Sequence, residues 1–202
     1  MTDTGIFYGT GAAEGVPSPF CDCPMCNYAR EHGGKDVRKR SCFRLGRNIM
    51  IDMGPDIFTQ ALQYGSMCDI EHVLITHTHD DHFNFTALGL MSMATHLRTT
   101  PVHFYFSEEG YRFIELLRDS EIAFGGTLRG MEKKGIYAFH KLKYFETYSI
   151  GEYEVTPIRG NHGGNMAKER SANYVLKAKD GTKMLYGMDT GCLLYTSDAA
   201  DD

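Results

Sequence analysis

Residues 76 to 82 read Thr76-His77-Thr78-His79-Asp80-Asp81-His82, three imidazoles and two carboxylates set directly behind the apolar run Val73-Leu74-Ile75. The run predicts a buried strand over His72 to Thr76, so the charged segment is the loop that leaves its end. Histidine and carboxylate side chains are costly to bury without partners, and a metal ion is a partner that all of them can share. In such a loop His77 and His79, two residues apart, can project to one side, while the adjacent Asp81 and His82 can turn toward a second ion. The spacing H-x-H-x-D-H therefore suits two metals side by side. Imidazole and carboxylate ligands suit zinc, manganese or iron. Two such ions ~3.5–4 Å apart can trap a bridging water, lower its pKa toward neutrality and supply hydroxide as the nucleophile, with no serine or cysteine needed.

Outward from this loop, strands and helices alternate. Strands are expected at Gly5 to Tyr8, Ser41 to Leu45 and Asn48 to Asp52, the last two joined by a turn at Gly46-Arg47. Pro55 opens a helix whose apolar positions Ile57, Phe58, Ala61 and Leu62 recur at helical spacing before Gly65. Beyond the metal loop, Phe85 to Leu97 reads as a buried helix, Val102 to Phe106 as a strand and Glu109 to Leu117 as a helix. From about residue 136 the pattern turns to strands, at Lys141 to Thr147, Tyr153 to Ile158, Tyr174 to Ala178 and Met184 to Met188. Asp180-Gly181 is the hairpin turn between the last two. Two mixed sheets covered by helices satisfy this order.

Length and composition are compatible with that scheme. At 202 residues, 42% hydrophobic and 23% charged, the chain suits one soluble domain with a substantial core. It has no apolar run approaching ~18 residues, and the opening MTDTGIFYGTG lacks the charged-then-apolar pattern of a secretory signal. The expected location is the cytoplasm, with no membrane partner. A net charge of −5 offers no footprint for sequence-independent nucleic-acid binding, which favours a small-molecule substrate. A homodimer remains open.

THTHDDH resembles the signature of the metallo-β-lactamase-fold hydrolases, and further elements of that superfamily follow in order. Asp52, in Ile51-Asp52-Met53-Gly54, resembles the acidic residue that braces the metal loop; His162, in Arg159-Gly160-Asn161-His162, the histidine that completes the first metal's triad; Asp189, in Gly187-Met188-Asp189-Thr190, the aspartate that bridges both metals. The resemblance implies an α/β fold of αββα layers, with metal one on His77, His79 and His162 and metal two on Asp81, His82 and Asp189. Asp81 and Asp52 are then the carboxylates of the catalytic machinery. Flavodiiron oxidoreductases of the same fold resemble H-x-E-x-D, so His79 favours hydrolysis. Asp80 occupies the variable position and is expected in solvent or at a helix start.

The loop from Gly9 to Arg30 contains Cys21-x-Cys23-x-x-Cys26, three of the chain's six cysteines within six residues. That does not look like a disulfide framework; a redox site or a structural zinc are the functional readings, and three thiolates at this spacing can supply three corners of the zinc site. The opening G-T-G-x-A-x-G-x-P followed by C-x-C-x-x-C is similar to that of the phosphoribosyl 1,2-cyclic phosphate phosphodiesterase subfamily. This resemblance implies a hydrolase of a small, cyclic phosphodiester, with two zinc or manganese ions at the catalytic site and one structural zinc. The pyrroloquinoline-quinone-biosynthesis B protein shares a related opening, which keeps a non-hydrolytic metal-binding member as the alternative. His32 and Cys42 are candidates for the fourth zinc ligand, and neither matches the subfamily pattern.

Of the basic run Lys35, Arg38, Lys39, Arg40 and Arg44, one or two are candidate phosphate clamps. Cys68, Met91 and Met93 are expected in the core, while His72, His96, His103 and His140 match no motif. The superfamily has one more metal-ligand histidine beyond the bridging aspartate, and this sequence has none after His162. The tail Cys192 to Asp202, CLLYTSDAADD, can be encoded by a stretch resembling the transposon-end adapter of sequencing libraries. The native domain is therefore expected over residues 1 to 191, truncated at its C-terminal part, with 192 to 202 an adapter-derived tail.

Overall fold

The structure is a computed structural model that describes residues 4–93, 99–121 and 126–190. Two β-sheets lie face to face. The first has six strands in sequence order: β1 (Gly5–Gly9), β2 (Cys42–Leu45), β3 (Ile49–Ile51), β4 (His72–Leu74), β5 (Val102–Ser107) and β6 (Tyr137–Leu142). β1 to β3 pair antiparallel and β3 to β6 parallel. The second is an antiparallel sheet of β7 (Tyr148–Ile150), β8 (Tyr153–Arg159), β9 (Ala172–Lys177) and β10 (Lys183–Tyr186), ordered β10-β9-β8-β7.

The period of two along each strand divides the core into two layers. Val73, Phe104, Phe106 and Phe139 point to the helical side of the first sheet, where Ile114 and Leu128 meet them. Leu74, Tyr105 and Leu142 point the other way and pack against Val155, Tyr174 and Leu176 of the second sheet. Each fully buried side chain of this size stabilises the fold by about 1.5–3 kcal/mol relative to exposure. The helices are α1 (Pro24–His32), α2 (Ile57–Tyr64), α3 (Phe85–Met93), α4 (Glu108–Leu117) and α5 (Leu128–Lys133). Ser107 and Thr127 cap α4 and α5 by accepting from the N–H groups of Gly110 and Gly130. No helix among the described residues is long and apolar enough to cross a membrane.

Several expectations change. The strand placed at Lys141 to Thr147 is the passage between the sheets: β6 ends at Leu142, Phe145 turns the chain at φ 66°, and β7 begins at Tyr148 in the other sheet. Only Lys141 and Leu142 of that segment lie in a strand, and residues 143 to 147 make the crossing. The cysteine segment is not all loop, because Pro24 starts α1 and carries Cys26 into its first turn; proline at the first helical position was the overlooked signal. α5 was also missed, and α2 begins at Ile57, two residues after Pro55, leaving Phe58 and Leu62 exposed. α3 is described to Met93, and the remainder of the expected helix, His96 included, lies outside the described residues. Met91 packs on the core, but Met93 and Cys68 are exposed rather than buried. Residues 191 to 202 also lie outside the described residues.

Candidate metal centre

Four strand ends converge on one edge of the sandwich. β3 and β4 are parallel, so Asp52 and Thr76 emerge together. β8 and β10 both pair antiparallel with β9, so His162 and Asp189 follow strands that end beside the start of β9. The sheets are joined at this edge: Ala172 N–H donates to the Thr76 carbonyl at 2.7 Å, and the buried Tyr174 hydroxyl donates to the Ile75 carbonyl at 2.6 Å. The metal loop is also fastened to the segment after β3, by Met53 N–H to His82 carbonyl at 2.7 Å and Asn84 N–H to Met53 carbonyl at 3.1 Å. Gly54 permits that approach, since a Cβ there would lie 2.1 Å from the Asp81 carbonyl oxygen.

The histidine and aspartate donors form two overlapping groups. One ligand atom each from His77, His79 and His162 lies within 4.8 Å of the others, and the same holds for His77, His82 and Asp189. His77 Nε2 is 3.0 Å from His79 Nδ1, which is 3.4 Å from His162 Nε2. Asp189 Oδ2 stands 3.1 Å from His82 Nε2, 3.8 Å from His77 Nε2 and 3.9 Å from His162 Nε2. Asp81 Oδ2 reaches His82 Nε2 at 3.2 Å. Asp80, as expected, is exposed.

The electrostatics match a cation site. Burial and the adjoining His82, His79 and His162 hold His77 down to about 3, so its imidazole is neutral and offers a lone pair. Burial opposes charge on His82, but Asp52, Asp189 and Asp81 outweigh it and push His82 up to about 12. The pocket around its ring thus stabilises positive charge. The His82 hydrogen bond holds Asp189 down to about 2. Ring nitrogens converge with carboxylates, a neutral imidazole faces them, and the surroundings favour a cation; these residues fit divalent metal ions.

Asp52 is wholly buried and sits behind His82, its Oδ2 2.7 Å from Nδ1. It also accepts from Thr76 N–H at 2.8 Å and from the Thr76 hydroxyl at 3.0 and 2.9 Å. Both Asp52 and Asp189 adopt positive φ, 62° and 49°, which aspartate tolerates better than most side chains. Reasoning from sequence missed Thr76, Thr78 and Glu169. Thr76 and Thr78 stand inside the motif at positions that resemble spacers. Glu169 is 91 residues from Thr78, to which it is bonded, and no local pattern announces it.

The cysteines gather as expected, with the sulfur atoms of Cys21, Cys23 and Cys26 within 4.8 Å of one another. The Cys26 N–H and the Cys21 thiol hold Cys23 down to about 7, toward the thiolate that a metal needs. Neither candidate fourth ligand joins them. Cys42 is buried in the core, and His32 stacks on Tyr28 at 3.8 Å between ring centroids. Two of the candidate phosphate clamps are engaged elsewhere, Arg40 with Asp56 at 2.8 Å and Arg44 with Asp69 at 2.7 Å. His72 pairs with His103 across β4 and β5, and His140 of β6, paired with Tyr105, lies diagonally, its Nε2 2.8 Å from His103 Nδ1. A cavity of about 690 Å³ lies between the sheets at Leu45, Tyr153, Leu176 and Met184, at the end of the sandwich opposite the metal centre.

The family model described as "Beta-lactamase superfamily domain" matches residues 47–200. Among solved structures, a diphosphatase from the PhnP family shares 22% identity at a TM-score of 0.66, covering 88% of this chain and 63% of that one. Zn(2+)-bound PqqB from Methylobacterium extorquens shares 15% at 0.68, covering 90% and 63%. The short form of human tRNase Z shares 20% at 0.57, covering 96% and 72%. These likenesses show the fold. A protein of Porphyromonas gingivalis (strain ATCC BAA-308 / W83) described as an octanoyltransferase is 36% identical over 81 residues, 38% of this chain and 16% of its own length. The chain spans 63% of the first two structures and 16% of that curated relative.

Proposed function

Since this chain belongs to the beta-lactamase superfamily domain family, we propose that it carries the metal centre of a dinuclear, metal-dependent hydrolase acting on a small, cyclic phosphodiester. The observation that carries this reading is the position of Asp189 Oδ2, between 3.1 and 3.9 Å from the Nε2 atoms of His82, His77 and His162. One carboxylate oxygen facing histidines of both donor groups is the arrangement that lets an aspartate serve two ions at once. His77, His79 and His162 would hold one ion; Asp81, His82 and Asp189 the other. Bound there, two zinc or manganese ions would supply an activated water and neutralise charge developing on a phosphoryl oxygen.

The chain's own residues prepare that chemistry. Asp52 orients His82 through Nδ1, which leaves Nε2 aimed at Asp189 and Asp81. The partly exposed His162 and Asp189 leave the centre open on one side for a small substrate. The diphosphatase and tRNase Z among the structural neighbours both act on phosphate-containing substrates by their descriptions, which supports a phosphoryl substrate here. The cysteine triad would hold a structural zinc.

Metal analysis and turnover of a chromogenic phosphodiester by the native gene product test the proposal. Two ions at the histidine–aspartate centre with phosphodiester turnover are expected. Two ions with no hydrolysis of any ester would sink the hydrolase reading in favour of a non-hydrolytic metal-binding protein of the PqqB kind.

A further inference from the structure

The three histidines assigned to the first ion come from two segments far apart in the chain. His77 and His79 leave β4, whereas His162, 83 residues beyond His79, rides on the loop between β8 and β9. At its base this loop is closed by Gly160 N–H to Ser171 carbonyl at 2.7 Å and Ser171 N–H to His162 carbonyl at 2.9 Å. At its tip the fastening is a buried carboxylate. Glu169 is 1% exposed. Its Oε1 accepts from Thr78 N–H at 2.9 Å, and its Oε2 accepts from the Thr78 hydroxyl at 2.6 Å and from Met166 N–H at 3.1 Å. The Thr78 hydroxyl in turn accepts from Asn165 N–H at 3.0 Å, and the Asn165 side-chain amide donates to the Thr78 carbonyl.

We propose that Glu169 is a positioning residue that sets the geometry of the three-histidine site, by locking Thr78, which stands between His77 and His79, to the loop that carries His162. The assignment rests on the reading of that cluster as a metal centre. Space has been kept for the carboxylate from two sides. A Cβ at Gly164 would lie 2.1 Å from Glu169 Cδ, and one at Gly110 would lie 3.1 Å from Oε1. Every hydrogen-bonding partner of the carboxylate is a donor. An amide therefore cannot replace it: turned one way its NH2 opposes Thr78 N–H, turned the other it opposes Met166 N–H. Because Thr78 immediately adjoins both first-loop ligands, a displacement there moves His77 and His79 relative to His162. Groups that orient ligands in this way are worth about 10–100-fold in metal affinity.

The test uses the full chain with Co(II) as probe, reading each ion's affinity by chelator competition and its ligand-field spectrum. Thiolate-to-cobalt bands in the near ultraviolet identify the cysteine site separately. The metal-free thermal midpoint is recorded for every variant. Glu169→Gln and Thr78→Val are expected to weaken one ion of the histidine–aspartate centre by about 10–100-fold and to change its spectrum. Thr78→Ser, which keeps the hydroxyl, should retain the wild-type affinity and spectrum. Should Glu169→Gln fail to fold, Thr78→Val against Thr78→Ser decides the matter. A lowered metal-free midpoint with unchanged ion affinities and spectra would show that Glu169 only stabilises the fold, and would overturn the assignment; so would Thr78→Ser behaving like Thr78→Val. If the wild-type chain takes up cobalt at the cysteines alone, the metal-centre reading fails first and the assignment falls with it.

Discussion

Replacing Asp52 by asparagine tests the second ion site through the placement of one proton. Asp52 accepts from the Thr76 N–H with Oδ1 and faces His82 Nδ1 with Oδ2 at 2.7 Å. Thr76 N–H is a fixed donor, so asparagine must present its oxygen there and its NH2 to His82. To accept from that NH2, the imidazole must leave Nδ1 bare and carry its proton on Nε2, the nitrogen that faces Asp189 and Asp81. The substitution thus preserves volume and withdraws the lone pair an ion needs. In the metal-free protein, loss of a charge-assisted hydrogen bond in a fully buried position costs about 1.5–3 kcal/mol. For a chain of this length that is a fall of roughly 3–12 °C in the unfolding midpoint. In the loaded protein one ion should bind about 10–100-fold more weakly, or about 1.4–2.8 kcal/mol, while the other is retained. Calorimetric titration of metal-free protein with Zn2+, alongside thermal unfolding, reads both numbers. Asp52→Asn protein that binds two ions at the histidine–aspartate centre with wild-type affinities would refute the orienting role of Asp52.

Other consequences can be checked with the same preparations. Gly54→Ala puts a methyl group against the Asp81 carbonyl, and the needed shift of the metal loop should cost about 1–3 kcal/mol in thermal unfolding; an unchanged midpoint would show that the loop yields freely. Cys26→Ser should remove one zinc per chain by elemental analysis and leave the histidine–aspartate ions in place; loss of all metal would mean that the sites are not independent. Stripping the ions with a chelator should lower the midpoint by roughly 5–11 °C for each ion removed from a state loaded at about 100 times the dissociation constant. A midpoint indifferent to chelation would count against metal binding by the folded chain.

Residues close in the chain were legible because their chemistry is compressed into short spacings. THTHDDH and C-x-C-x-x-C present donors that only a shared partner makes economical, and Asp180-Gly181 turns between β9 and β10 with Gly181 at φ 89°. Asp52, His162 and Asp189 were legible only through resemblance and order, and the fold brings them to the same edge as the motif. Boundaries suffered where aromatic residues of strand type sit in a connection, as at Tyr144 and Phe145 between Leu142 and Tyr148, where the chain leaves one sheet for the other. The basic run shows the same limit from another side. Arg40 and Arg44 were candidate clamps as a string of charges, yet Asp56 and Asp69, brought near by folding, engage them.

By itself the sequence determined the family, the donor types and the local spacing that lets His77, His79, Asp81 and His82 share one loop. Tertiary structure decided how the groups behind those donors are held, Asp52 expected by resemblance and Glu169 not. Thr76 holds Asp52 against His82, and Glu169 reaches Thr78 across 91 residues of chain. The physical reason is that donors carried by one loop converge by local geometry and so show as a motif, whereas His162 and Asp189 reach the same edge only through the fold. The groups that orient ligands need only a hydrogen bond, and any strand end that folding delivers to the same edge can supply it.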